Sequence, residues 1–375
     1  MTRVLAAGLG MLLLATSTAA HHSFTATYDS ERQISLEGVV TRIEWANPHA
    51  YFFIDDVDDS RIVTNWAVEF GRPFDLERAG WSAETLKVGD VVAIMGIPAR
   101  GQEKRAFGAA VTRVSTGEKL FVMPADSPAP QAKAQPAPRW PDGQIRLGPA
   151  PGEKGFWGRA SAVSLVEKGQ NIRMNDDGLL FDLADADKVA PMHPWAKALY
   201  LFRQRNLLVD DPLTRCLPPG GPRQFQGAYG FQFIEQRELR RILVLLGGEN
   251  RNWHPIYMDG RQVGEAELAN PTYYGASSGR WEKDTLVVET VGFNERFWFT
   301  NGGLPHTSAL RLTERFTRTG YNTLTYEVTV NDPRTYTRPW SGGWTIQWVP
   351  GEELQEYFCE ENVETTLARQ EEEEQ

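Results

Sequence analysis

Basic residues, long apolar runs, cysteine and histidine are all in short supply in this chain, and each shortage narrows what it can be. Lysine and arginine number 39 against 49 aspartates and glutamates, a net charge of −10, so nothing here resembles a basic nucleic-acid surface. Seven Glu against one Arg in residues 360–375 carry much of that charge, and such a tail reads as a solvated end. Beyond residue 20 no apolar run approaches transmembrane length. The two cysteines, Cys216 and Cys359, permit one intramolecular disulfide, the alternative being two buried thiols. Imidazole chemistry has six histidines to draw on, and three of them, His21, His22 and His49, fall in the first domain.

What is present is aromatic and β-forming. The chain is 41% hydrophobic with 12 Trp, 11 Tyr and 18 Phe, and its 375 residues suffice for two domains with substantial cores. Arg3, an apolar stretch over 4–15 and small residues over 16–20 read as a secretory signal peptide, residues 1–20. The mature protein is therefore expected to be soluble and periplasmic or secreted. An oxidising compartment favours the Cys216–Cys359 bridge.

Residues 21–123 read as a small β domain with strands at 35–44, 50–55, 63–70, 90–97 and 107–115. A helical turn at 83–87, capped by Ser82, precedes the fourth strand. Five strands in that layout suggest an OB-like barrel without the basic groove that oligonucleotides require. Residues 124–155 are rich in Pro and Ala and read as a linker. Residues 156–360 form the second domain and 361–375 an acidic tail. The second domain opens on a helix, Pro194–Arg205, with Trp195, Leu199 and Phe202 at helical spacing. Strands follow at 232–236, 241–246, 252–257, 286–291, 309–317, 323–330, 344–349 and 354–359, several alternating cleanly between apolar and polar residues. The expected fold is mainly β: the OB-like barrel, then a larger antiparallel meander or lipocalin-like barrel with one covering helix. Gly275–Gly279 spell G-x-S-x-G, but strand rather than helix follows, so Ser277 is expected in a loop entering a hairpin and not as a nucleophile.

Two resemblances follow from short patterns. His21-His22-Ser23-Phe24, Gly38-Val39-Val40-Thr41, Glu44-Trp45, Asn47-Pro48-His49 and Thr64-Asn65-Trp66 make residues 21 to about 122 resemble a family of periplasmic proteins of unknown function. Arg215-Cys216-Leu217-Pro218-Pro219-Gly220, Gly279-Arg280-Trp281-Glu282, Asp284-Thr285-Leu286-Val287-Val288 and Gly292-Phe293-Asn294 resemble a second group of secreted hypothetical proteins. Neither resemblance implies an activity or a catalytic residue.

Chemistry must come from the residues. Cleavage after Ala20 would leave His21 with a free amine, and His22 or His49 would complete an all-nitrogen set suited to Cu(II). The plain alternative is that these are polar residues leading into the first strand. In the strand around Glu314, period two puts Leu310, Leu312, Glu314 and Phe316 on one face. A carboxyl among apolar neighbours resists ionisation and can act as acid or base, with His306 just before the strand as its partner. The alternative is that Glu314 pairs with Arg338 as an anchor. Tyr336, Arg338, Trp340, Trp298 and Asn294 are expected to line the same pocket.

The leading expectation is an exported protein that binds a hydrophobic or aromatic small molecule in its larger barrel, with a copper or other metal site in its first domain. The rival is a periplasmic isomerase, lyase or hydrolase using the His306–Glu314 pair. A third is a structural or interaction protein of the cell envelope.

Overall fold

Alternating burial builds the first sheet. Along β1 (Ile34–Glu44), Leu36, Gly38 and Val40 face inward while Glu37 and Val39 face out. Burial also alternates along β4 (Val91–Pro98) and the start of β5 (Arg105–Arg113), whereas β2 (Tyr51–Val57) is buried on both faces through Ile54 and β3 (Val63–Glu69) through its last three residues; β6 (Glu118–Val122) is the last strand. The sheet order is β3-β2-β1-β4-β5-β6, and a parallel pairing of β3 with β5 closes the first five strands into a barrel. Phe52, Phe70, Trp81 and Phe121 pack edge to face in its core. The computed structural model describes residues 24–354 apart from 30, 47–48, 58–60, 72, 102–103, 123–134, 162–163, 228, 249–251 and 264, together with Cys359. The expected signal peptide, His21, His22 and the acidic tail lie outside the described residues.

The helix between β3 and β4 is Pro73–Arg78, not the turn at 83–87. Ser82 caps as the sequence suggests, with its Oγ accepting from Glu84 N at 3.3 Å. Thr85 Oγ1 accepts from Ser82 N at 2.8 Å in return, so the pair closes a turn instead of starting a helix.

The second sheet is a closed barrel of nine strands. They are β7 (Gly155–Trp157), β8 (Phe231–Gln236), β9 (Arg241–Leu246), β10 (Trp253–Tyr257), β11 (Ala276–Glu282), β12 (Thr285–Val291), β13 (Arg311–Gly320), β14 (Thr323–Asn331) and β15 (Trp340–Pro350). Each strand pairs with its neighbour in sequence and β15 returns to β7, so the chain runs around the barrel once. Every ladder is antiparallel except β10–β11, where the chain between the two strands includes the short helix Glu265–Ala269. Ser277 therefore lies within a strand, not in a loop. The strand expected at 354–359 falls mostly on residues that are not described.

Residues 135–154, which composition assigns to the linker, pack on the second barrel. Ile145 and Leu147 are buried in its core, Leu147 N and Gly148 N donate to Glu235, and Arg139 makes a two-pronged pair with Asp284. Arg318 lies over Trp157 and Trp348 at 4.9 and 4.8 Å and donates to the carbonyls of Arg146 and Gly148, which seals this end of the barrel. The helix Pro194–Arg205 forms as expected but turns the other way. It buries Ala196, Tyr200 and Gln204, and it leaves Trp195 and Phe202 exposed. The two cysteines form the expected disulfide.

Candidate functional site

In the first barrel, register creates a polar cluster on the outer face. Tyr51 at the start of β2 stands opposite Glu69 at the end of β3. His49 comes just before β2, held by the Phe70 N to Ala50 O and Ala50 N to Gly71 O bonds on either side of the ladder's end. Its Nδ1 sits 2.7 Å from Glu69 Oε1, while Tyr28 and Tyr51 both donate their hydroxyls to Oε2, at 2.5 and 2.7 Å. Arg105 lies 3.6 Å from the same oxygen. Burial alone would raise the Glu69 carboxyl. The bonds from His49, Tyr28 and Tyr51, with the charge of His49, outweigh it and hold the group at about 2. An ionised carboxylate can only accept, so the shared proton belongs to His49 Nδ1. Nε2 is the ring nitrogen that this contact leaves over, on a side chain 38% exposed. A histidine fixed through one nitrogen by a carboxylate is the arrangement that presents the other to a metal.

The second barrel hides a different set. Thr290 is register partner to both Ser277 and Leu312, and Glu314 lies opposite Val288 and Val328. Their inward side chains form a line: Ser277 Oγ and Thr290 Oγ1 share a hydrogen bond of 2.9 Å, Thr290 bonds to Glu314, and Tyr326 donates to Glu314 Oε1 at 2.8 Å. Glu314 is 5% exposed, and burial raises its carboxyl to about 7 against the opposing pull of Tyr326 and Thr290. The 3₁₀ segment Gly221–Gln226 is wholly buried and fills the space beside this line. Phe225 packs against Phe231, Tyr326 and Phe316 with ring centres 4.7, 5.2 and 5.5 Å away. Its neighbour Gln224 accepts from His254 Nε2 at 2.7 Å, and burial lowers His254 to about 4. A shallow depression of about 220 Å³ lies elsewhere, lined by Val291, Leu310, Arg311 and Asn331 where β12, β13 and β14 meet the barrel's other end.

Residues 10–107 match a family of unknown function, DUF6152. The matched span takes in Tyr28, His49, Tyr51, Glu69 and Arg105 and stops short of the second barrel. No curated protein matches the chain.

The residues singled out in the sequence are scattered by the fold. His21 and His22 lie outside the described residues, and among the described residues no group of three metal-binding side chains gathers. His306 and Glu314 share no hydrogen bond or ion pair. His306 sits beside the carbonyls of Phe297 and Thr307, at 3.0 and 3.3 Å, and burial lowers its pKa. Tyr336 is buried and donates to Pro305 O, Trp340 packs against Phe299 and Tyr336, and Trp298 lies under Arg203. Asn294 is half-buried and accepts from Arg296 N. Arg338 is on the surface, paired with Glu167, so it neither anchors Glu314 nor reaches the barrel interior. Sequence reasoning missed Glu69, Tyr28 and Tyr51, and in the barrel Thr290, Tyr326 and Gln224, and it gave His254 to core packing. A lone acid in the otherwise apolar run Trp66–Phe70 was the available signal for Glu69.

Proposed function

We propose that this is an exported, periplasmic metal-binding protein whose first barrel holds a copper(II) ion through His49 together with the amino-terminal residues His21 and His22. The orientation of His49 by Glu69 carries this reading, because it leaves Nε2 as a nitrogen donor on an accessible side chain. Tyr28 bonds to the same carboxylate, and the helical turn Phe24–Thr27 leads directly to it. Phe24 is three residues on from His21, a reach of about 10 Å at full extension. Nitrogen donors in such a set suit copper(II). The test is a copper titration of protein whose amino terminus has been verified by mass spectrometry. One ion per processed chain is expected, with affinity about 10–100-fold lower in His49→Ala. Correctly processed protein that takes up no copper overturns the reading.

The second barrel supports a second reading, carried by an acid that titrates near neutrality inside an aromatic enclosure. It is a site for a hydrophobic or aromatic small molecule, with Glu314 as acid or base of an isomerase, lyase or hydrolase. Turnover left unchanged by Glu314→Gln removes that role.

A further inference from the structure

The end of the segment 211–226 is buried in the barrel from Pro219 to Gln226 without belonging to its ladders. The outer part of the segment bonds largely to itself, while Phe225 O and Gln226 are held by Ala160 N, Arg159, Ser161 O and Asn301. Asp211 and Arg223 form a buried two-pronged ion pair, one arm at 2.8 Å. Leu213 N and Thr214 Oγ1 bind back to Asp211, and Gln224 Nε2 donates to Gly221 O at 2.9 Å. Displacing the segment would carry this ion pair with it and so strand no buried charge, while it would break the bonds of Phe225 O and Gln226 to Ala160 N, Ser161 O and Asn301. Two of its side chains reach the wall in a way that imitates a ligand. The ring of Phe225 fills the aromatic enclosure, and the amide oxygen of Gln224 accepts a hydrogen bond from His254 Nε2. Tyr326, which touches that ring, also donates to Glu314, so the occupied space borders the buried acid. Cys216 ties the loop to Cys359, beyond the last strand.

We propose that residues 211–226 are a displaceable plug, and that Gln224 and Phe225 hold the place of the barrel's ligand, an aromatic compound bearing a carbonyl oxygen. The ring would replace Phe225 and the carbonyl would accept from His254 as Gln224 does. The proposal rests on the small-molecule reading of the second barrel and is independent of the metal reading. The disulfide keeps the plug's near end in place, and releasing it raises the fraction of open barrels and with it the apparent affinity.

The probes are benzamide and benzene, titrated calorimetrically into the oxidised full chain, the Cys216→Ser/Cys359→Ser double variant and Phe225→Ala. Circular dichroism establishes that each is folded. Benzamide is expected to bind the double variant about tenfold or more tightly than the oxidised wild type. In Phe225→Ala, benzamide is expected to outcompete benzene, and adding His254→Leu is expected to abolish that preference. A plain packing void would take both rings alike whatever residue 254 is, and that result overturns the proposal. A folded double variant that binds no benzamide overturns it as well, and it decides the matter if Phe225→Ala fails to fold. Equal benzamide affinity in wild type and double variant discards the plug while leaving the small-molecule reading in place.

Discussion

A carboxylic acid enclosed in a barrel with no cation beside it folds most stably as the neutral acid. Burial holds Glu314 at about 7, against 4.5 for an ordinary glutamate, so the native state keeps a proton that the unfolded chain releases. Its stabilising contribution is complete below pH 4.5 and is lost as the pH rises through 7, a span worth roughly 3 kcal/mol. His254 has the opposite sign. Burial lowers it from 6.5 to about 4, so its contribution is present above pH 6.5 and is lost as the pH falls toward 4. The two overlap in mild acid but separate above it, where Glu314 alone of the pair still titrates. Thermal midpoints of the wild type are expected to fall between about pH 6.5 and 8 and to level off above that, and Glu314→Gln to flatten that fall. An identical slope in the variant would show that Glu314 is ionised in the native protein. The inward position of this acid was legible from period two alone. Its partners were not, because Thr290 and Tyr326 become neighbours only once three strands are in register.

At the level of the element, strands announce themselves when both chemistry and alternation agree. β14 and β15 carry Leu324, Tyr326, Val328 and Ile346, Trp348 on faces that pattern alone reveals. β11 does not, since its buried positions are Ser277 and Gly279, and a strand whose inward residues are small and polar reads as a loop. The same limit applies to the helix Pro194–Arg205. Its period was plain, but Gln204 turns inward because its amide serves Leu180 N, Gly178 O and Gly302 O, groups supplied from outside the helix. The His49–Glu69 contact likewise depends on the β2–β3 register and on Tyr28 from before β1, none of it visible in local spacing. Close approach between strands gives a direct test of the observed register. Gly343 on β15 stands opposite Glu327 on β14, and a Cβ there would come within 2.1 Å of Tyr326 O. Backbone in a closed ladder cannot yield cheaply, so Gly343→Ala is expected to destabilise the second barrel by about 1–3 kcal/mol in urea titrations. An unchanged midpoint would mean that β14 and β15 pair in another register.

For the whole molecule, the single disulfide divides the chain unequally. Cys216 and Cys359 are 143 residues apart, and the loop they close contains β8 through β15 but neither β7 nor any strand of the first barrel. Closing a loop of that length restricts the unfolded ensemble by about 5 kcal/mol in the chain-entropy description. The stabilisation belongs to the second barrel alone, because the unfolded freedom it removes belongs to that barrel's residues. Reduction, or Cys216→Ser/Cys359→Ser, is therefore expected to lower one unfolding transition by about that amount and to leave the other where it was. Tryptophan fluorescence with and without reductant, followed through urea, resolves the two. The first barrel contributes Trp45, Trp66 and Trp81, and far more of the signal comes from the second. Movement of both transitions together would mean that the two barrels unfold as one cooperative unit, and a second transition that stays put on reduction would mean that the bridge does not constrain the unfolded chain.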